Sequence, residues 1–401
     1  MRSMLKRILL LFVAVSAAWP ALPNLQSAYG APRSISTNAH AAAVIDVQSG
    51  RILYSQLGDE PNKIASLTKI MTAIVAIENG NLADIVKAGK AAVGKEGSSI
   101  YLQLGEEMSL HHLLYGLMLR SGNDAATAIA EHVGGSEEGF VHLMNEKAAW
   151  LGLENSHFMN PHGLDDPEHY ASANDMAKLT AYALRNPVFQ EIVKTRIKKV
   201  PNPHDPWDYT WANKNKMLAM YDGADGVKTG YTKQARRCLV SSATRGGQQI
   251  AVVTLNDGDD WADHRSLLDW AFENYPLAEL TRSGQKIANT TYEASGLLRY
   301  PLADDESSQV RSKLNVTDPA SVDYALGERG RLEFYLGEER IGAVPLKDAP
   351  PAAPSSATPQ ARAAMASAAS EGGASTGASD TFLLALTRVV QGLLGAGVVR
   401  W

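Results

Sequence analysis

Leu239-Val240-Ser241-Ser242-Ala243 and Ile250-Ala251-Val252-Val253-Thr254-Leu255 are strand-like runs joined through Gly246-Gly247, and they read as a β-hairpin. A second hairpin stands far upstream, where Ala42-Ala43-Val44-Ile45-Asp46 and Arg51-Ile52-Leu53-Tyr54 flank Gln48-Ser49-Gly50. The chain between them is mostly helical in pattern. Helical periodicity runs from Leu67 to Ile77 and returns as the stripe Leu110, Leu113, Leu114, Leu117, Met118. Residues 124–134 and 137–151 also look helical, the chain turns to β near residue 226, and Leu267 to Tyr275 reads as a closing helix. Strands at both ends with helices between predict an α+β fold over residues 39–275. Its terminal strands meet in one antiparallel sheet, with helices on both sides and a helical cluster inserted.

Outside that body the composition changes. Residues 281–348 carry short β-like runs such as Arg331-Leu332-Glu333-Phe334-Tyr335-Leu336 with no clear helix, which predicts a small all-β domain. Residues 349–380 contain 25 Ala, Pro, Ser or Gly out of 32 and too little apolar surface to fold, so they are expected to form a disordered linker. Asp380 is a good N-cap for the apolar run of 381–401. Thr381, Arg388, Gln391 and Gly395 share one narrow face there, a pattern expected of an amphipathic helix lying on a membrane. At the other end, Arg2, Lys6 and Arg7 precede an apolar run from Ile8 to Ala18, and Ala28-Tyr29-Gly30 offers small residues for cleavage. Residues 1–30 therefore read as an export signal.

The 401 residues are 45% hydrophobic and 20% charged with a net charge of −5, which supports a packed core and gives no basic footprint for nucleic acid. The single cysteine, Cys238, excludes an internal disulfide framework or a Cys-rich metal site, and Arg237-Cys238-Leu239-Val240 reads as a buried strand holding an inert thiol.

Three short motifs carry the chemistry. In Ser66-Leu67-Thr68-Lys69 the i, i+3 spacing puts both side chains on one helix face, where an unprotonated lysine can take the serine proton. The bland alternative is Ser66 as a helix cap and Lys69 as a surface charge. Ser121-Gly122-Asn123 sits where one helix stops and the next starts, and a helix-breaking turn would explain it equally well. Lys228-Thr229-Gly230 follows Gly226-Val227 into the C-terminal hairpin; there Lys228 and Gly230 share a strand face, and Gly230 admits close approach of another chain. Singly, each is commonplace.

Together, Ser-x-x-Lys, Ser-x-Asn and Lys-Thr-Gly in this order, 55 and 107 residues apart, resemble the penicillin-recognising serine acyl-enzymes. Within that group the chain is similar to the D-alanyl-D-alanine carboxypeptidases, the low-molecular-mass penicillin-binding proteins. Ile64-Ala65-Ser66-Leu67-Thr68-Lys69-Ile70-Met71-Thr72, Leu119-Arg120-Ser121-Gly122-Asn123-Asp124-Ala125-Ala126, Asn160-Pro161-His162-Gly163-Leu164 and Gly226-Val227-Lys228-Thr229-Gly230-Tyr231-Thr232 carry the likeness, which is strong over 39–275. It leans towards carboxypeptidases of Gram-positive bacteria, including spore-formers.

The resemblance implies a penicillin-binding transpeptidase-like fold and roles for matching positions. Ser66 would attack the penultimate D-alanine carbonyl of a peptidoglycan muropeptide stem, with Lys69 as general base kept neutral by a nearby cation, Lys228. Ser121 would relay the proton to the leaving amine and Asn123 would orient the substrate amide. Lys228 and Thr229 would hold the terminal carboxylate, assisted by Lys214. The backbone N–H groups of Ser66 and of Tyr231, which follows Gly230, would form the oxyanion hole. The family needs no metal or other cofactor, is acylated by β-lactams, and acts outside the cytoplasmic membrane; the last helix would tether it to the outer face.

Rival readings are weaker. A β-lactamase of class A adds a Glu-x-x-Leu-Asn pattern, which does not occur between residues 123 and 228. A metal hydrolase lacks support because none of the ten histidines has His-Glu-x-x-His spacing, and His162 reads as a loop-bracing or pocket-lining residue. A catalytically inactive wall-binding homologue would have no chemical need for the complete motif set.

Overall fold

The computed structural model describes residues 32–350. The expected export signal (1–30) and terminal helix (381–401) lie outside the described residues, as does the expected linker beyond its first two positions.

Strands β1 (Ala41–Asp46) and β2 (Ile52–Gln56) form the N-terminal hairpin, followed by a single 3₁₀ turn, Ala65–Thr68, and helix α1 (Lys69–Asn79). A short ladder, β3 (Ile85–Lys87) with β4 (Glu107–Ser109), leads into α2 (Leu110–Leu119), α3 (Asn123–Gly134) and α4 (Glu137–Trp150). Ser109 caps α2 through His112 N–H at 3.2 Å, and Ser136 caps α4 through Gly139 N–H at 3.0 Å, which fixes where each helix starts. Next come α5 (Ala173–Leu184), α6 (Pro187–Lys194), a second short ladder of β5 (Ile197–Val200) and β6 (Tyr209–Ala212), and the turn-length α7 (Met217–Met220). Strands β7 (Ala224–Thr232), β8 (Arg236–Arg245) and β9 (Gln248–Leu255) then run into α8 (Asp260–Asn274), which begins seven residues before the apolar pattern at Leu267.

The five long strands make one antiparallel sheet in the order β2-β1-β9-β8-β7, so the two hairpins meet through β1 and β9. The chain is thus α+β, with the sheet buried on both faces. Alternation along the strands sorts the residues between two cores. Ala43, Ile45, Ala251, Val253, Cys238 and Val240 face the inserted helices, whereas Val44, Ile250, Val252, Leu239 and Ala243 face α8. β7 is an edge strand, which leaves one side of it free to line a cleft.

After α8, β10 (Leu277–Thr281) pairs with β12 (Leu298–Pro301), while β11 (Tyr292–Ala294), β13 (Val310–Val316), β14 (Gly330–Leu336) and β15 (Glu339–Asp348) form a sheet in the order β11-β15-β14-β13. This segment is not purely β: a 3₁₀ turn at Ser307–Gln309 and a helical turn, α9 (Val322–Ala325), interrupt it. Too short for a hydrophobic period, α9 leaves only its Ser321 cap as a sequence mark. A small core of Leu332, Phe334 and Leu346 holds the sheet. Arg51 ties it to the body, donating to Pro301 O at 2.7 Å and pairing with Glu306.

Candidate active site

Ser66 lies in the 3₁₀ turn ahead of α1, not in the helix itself, and Lys69 is the first residue of α1. In a 3₁₀ turn positions i and i+3 nearly eclipse, so the pair is brought together more directly than α-helical geometry would manage. The amine of Lys69 is 3.0 Å from Ser66 Oγ, 2.7 Å from Asn123 Oδ1 and 2.6 Å from the carbonyl oxygen of His162. Lys69 is fully buried, so it is no surface charge, and Ser66 caps neither helix.

Those three neighbours decide what the lysine can do. A neutral amine has two N–H donors and one lone pair. Asn123 Oδ1 and the His162 carbonyl can only accept, so they take the two N–H groups. The remaining neighbour is the Ser66 hydroxyl, which can give its proton to the lone pair. Burial, then Lys228, then Lys214 hold the Lys69 pKa well below the usual lysine value. The balance is therefore shifted towards the form that accepts a proton.

Asn123 starts α3, and Gly122 rather than a side chain stands at its N-cap. Its amide nitrogen donates to Glu96 O at 2.5 Å, which turns Oδ1 towards Lys69. The next residue, Asp124, is buried and accepts from the backbone N–H groups of Ile100 and Leu102, both at 3.0 Å, and from Ser99 Oγ at 2.6 Å. This carboxylate holds residues 98–102 along the rim. Ser121 takes a left-handed conformation (φ +63°), uncommon for a non-glycine residue, and lines the cleft.

Lys228 is buried in β7 and donates to Thr229 O at 2.7 Å. Burial and the charge of Lys214 push its pKa down to about 7. Lys214 donates to Ser98 Oγ at 2.9 Å, and burial and Arg120 lower its pKa in turn. The strand passes very near the nucleophile turn: a β-carbon on Gly230 would stand 3.1 Å from Ile64 O and 3.3 Å from Ser66 N. Ser66, Ser121, Lys214, Thr229, Gly230 and Tyr231 all line one cleft of about 480 Å³. The structure thus gathers Ser66, Lys69, Ser121, Asn123, Lys214 and the β7 residues around a single point.

Other participants were not apparent in the sequence. His162 contributes its backbone carbonyl, while its side chain braces the loop by accepting the Leu164 N–H at Nδ1, 3.3 Å away; its Nε2 lies 3.4 Å from Glu137 Oε1. Burial lowers the His162 pKa, and Glu137 is held down to about 2, chiefly by His162. No side-chain pattern betrays a carbonyl. Arg237, Asp260 and Trp261 line the same cleft beyond Tyr231; only the cross-strand register, which pairs Tyr231 with Arg237, could have hinted at them. Cys238 is buried in β8, where burial pushes its thiol up to about 12, as expected of an inert core residue.

The chain as a whole resembles known proteins. The sequence profile of the D-alanyl-D-alanine carboxypeptidases matches residues 27–259. The D-alanyl-D-alanine carboxypeptidase DacF of Bacillus subtilis is 34% identical over 312 residues, covering 72% of this chain and 80% of the relative. Among solved structures, penicillin binding protein 5 from Haemophilus influenzae superposes with a TM-score of 0.65 at 27% identity, covering 79% of this chain and 98% of that one. The carboxypeptidase DacD from Francisella tularensis gives 0.61 at 26% identity, covering 80% and 95%.

Proposed function

The chain belongs to the serine-type D-alanyl-D-alanine carboxypeptidases, and from that premise we propose that it removes the terminal D-alanine of peptidoglycan pentapeptide stems through an acyl-ester on Ser66, which penicillins also acylate. The observation that carries the reading is the Lys69 amine, fully buried, 3.0 Å from Ser66 Oγ, with acceptors already on its two other sides.

Ser66 Oγ attacks the penultimate carbonyl as its proton passes to Lys69. The oxyanion forms against the N–H groups of Ser66 and Tyr231; the bare Gly230 lets β7 pass close to Ser66 N. Collapse breaks the peptide bond, and the proton reaches the departing amine through Ser121. Lys228 and Thr229 bind the free carboxylate of the leaving D-alanine, with Lys214 adding charge, while Asn123 orients both the amine and the substrate amide. Water then hydrolyses the ester and restores Ser66. Carboxylate recognition by the buried Lys228 explains a requirement for a free C-terminus, because an unpaired charge there is costly unless the substrate supplies its partner.

Residues 281–348 act as a spacer in this reading, residues 1–30 direct export, and residues 381–401 tether the enzyme to the outer face of the membrane. Truncation at residue 380 should release the protein from membranes; unchanged membrane association would overturn the tether.

Labelling with a fluorescent penicillin tests the chemistry. A covalent adduct is expected on the wild type and none on Ser66→Ala; a labelled Ser66→Ala protein refutes the assignment. D-alanine release from a pentapeptide then separates the carboxypeptidase from a β-lactamase, and absence of both labelling and release would point to an inactive wall-binding homologue.

A further inference from the structure

The cleft that holds Ser66 continues past the oxyanion position. Arg237 stands directly across the β7–β8 ladder from Tyr231, and Asp260 and Trp261 come from the first turn of α8; all three line the cleft with Ser66 and Thr229. Arg237 and Asp260 form a two-pronged ion pair, Nε to Oδ2 at 3.2 Å and Nη2 to Oδ1. The pair is asymmetric in exposure: the aspartate side chain is 5% accessible and the arginine 45%. Nη1 makes no hydrogen bond among the described residues, and the guanidinium lies 6.0 Å from the Trp261 ring centre.

Substrate direction follows from the proposed acyl transfer, on which this inference rests. Lys228 and Thr229 take the terminal carboxylate and Ser66 takes the next carbonyl, so the acyl portion of the stem runs on past Tyr231. The residue preceding the two D-alanines is the third of the stem, a diamino acid that is either lysine or diaminopimelate. A lysine side chain ends in an ammonium alone. Diaminopimelate ends in an α-aminocarboxylate, with both charges on one carbon. An exposed arginine repels the first and can pair with the carboxylate of the second, while the aspartate beside it favours the ammonium. The Trp261 ring can cover the methylenes between.

We infer that Arg237, Asp260 and Trp261 form a subsite for the zwitterionic α-aminocarboxylate end of the third stem residue, which selects diaminopimelate stems over lysine stems. The partly exposed, unsaturated guanidinium is the discriminating group; the buried aspartate holds it in place.

Calorimetric titration of the full-length Ser66→Ala protein with two pentapeptides that differ only in this residue tests the assignment. The diaminopimelate peptide is expected to bind about tenfold more tightly, the worth of one charge-assisted hydrogen bond. Adding Arg237→Gln should bring the affinity ratio close to one. Arg237→Lys keeps Asp260 neutralised should the glutamine variant not fold, and is expected to lower the ratio at least about threefold because the planar fork is lost. Equal affinities in the parent protein, or a ratio that survives in the variant that folds, overturn the subsite. Turnover is read separately on the wild type: a peptide that binds but releases no D-alanine refutes the acyl-transfer reading and leaves the subsite standing.

Discussion

Gly163 lies against the carbonyl of Ala65, so close that a β-carbon there would stand 1.9 Å from Ala65 O. Gly163 also has φ +82°, a conformation L side chains rarely adopt. The Asn160–Leu164 loop is thereby pressed under the nucleophile turn, and Lys69 reaches the carbonyl of His162, the residue before the glycine. Gly163→Ala should destabilise the protein by at least about 2 kcal/mol and slow penicillin acylation more than tenfold, because the turn must move to admit the methyl group. Gly230→Ala meets a milder crowding, 3.1 Å to Ile64 O, which a shift of a few tenths of an ångström relieves, so it should slow acylation with a smaller change in melting temperature. Acylation rates and thermal melts on both variants check the ranking.

Asn123→Asp would place a carboxylate where an amide oxygen now stands, 2.7 Å from Lys69 Nζ. An adjacent negative charge favours the protonated amine, which cannot accept the Ser66 proton. Acylation at pH 7 should fall about tenfold or more and recover as the pH is raised. A pH profile of penicillin labelling decides the matter: a uniform loss at every pH would mean that Asn123 acts only as a support.

Lys214 is a positive neighbour that depresses both Lys69 and Lys228. Lys228 stands at about 7, so its charge and its hold on a substrate carboxylate fade as the pH rises through that value. In the wild type KM for a peptide with a free carboxylate should therefore climb above about pH 7. Lys214→Met removes a repelling charge and makes protonation of Lys228 easier, so the climb should begin at higher pH. Steady-state kinetics across pH 6 to 9 report it.

His264 is buried between Ser241 Oγ at 2.5 Å and Thr254 Oγ1 at 3.0 Å, and burial holds its pKa down to about 3 against 6.5 for an ordinary histidine. Above pH 6.5 the group is neutral folded or unfolded and contributes no slope. Between 6.5 and 3 only the unfolded chain takes the proton, so stability falls as the solution is acidified. The loss from this histidine should reach about 2 kcal/mol by pH 5. Burial also holds His169 at about 3, adding a similar slope. Urea titrations at pH 7 and pH 5 should show the decline, and His264→Gln should remove part of it.

The two hairpins and the helical middle were legible because strand runs, Gly-Gly turns and apolar stripes are local signals that burial later reinforces. The four residues at the centre of the proposed chemistry, Ser66, Lys69, Asn123 and Lys228, were legible from their motifs and order. Element edges were less so. Ser66 was expected at the head of a helix and sits in a 3₁₀ turn ahead of it, where Ala65 takes φ +48° and the contact with Gly163 fixes the entry to α1. Helix α8 starts at Asp260, ahead of its apolar stripe, where its first turn pairs with Arg237 of β8 on the same face of the sheet.

The sequence by itself determined the two hairpins of the main sheet, the side chains proposed to react and the family to which the chain belongs. It did so because those properties reside in residue type and spacing. Only the tertiary structure decided that Lys69 is dry and surrounded by two other lysines, that a backbone carbonyl from His162 completes its shell, and that Arg237 and Trp261 extend the cleft. Burial, charge proximity and carbonyl placement depend on which distant segments meet, and a side chain's pKa follows the surroundings that meeting creates.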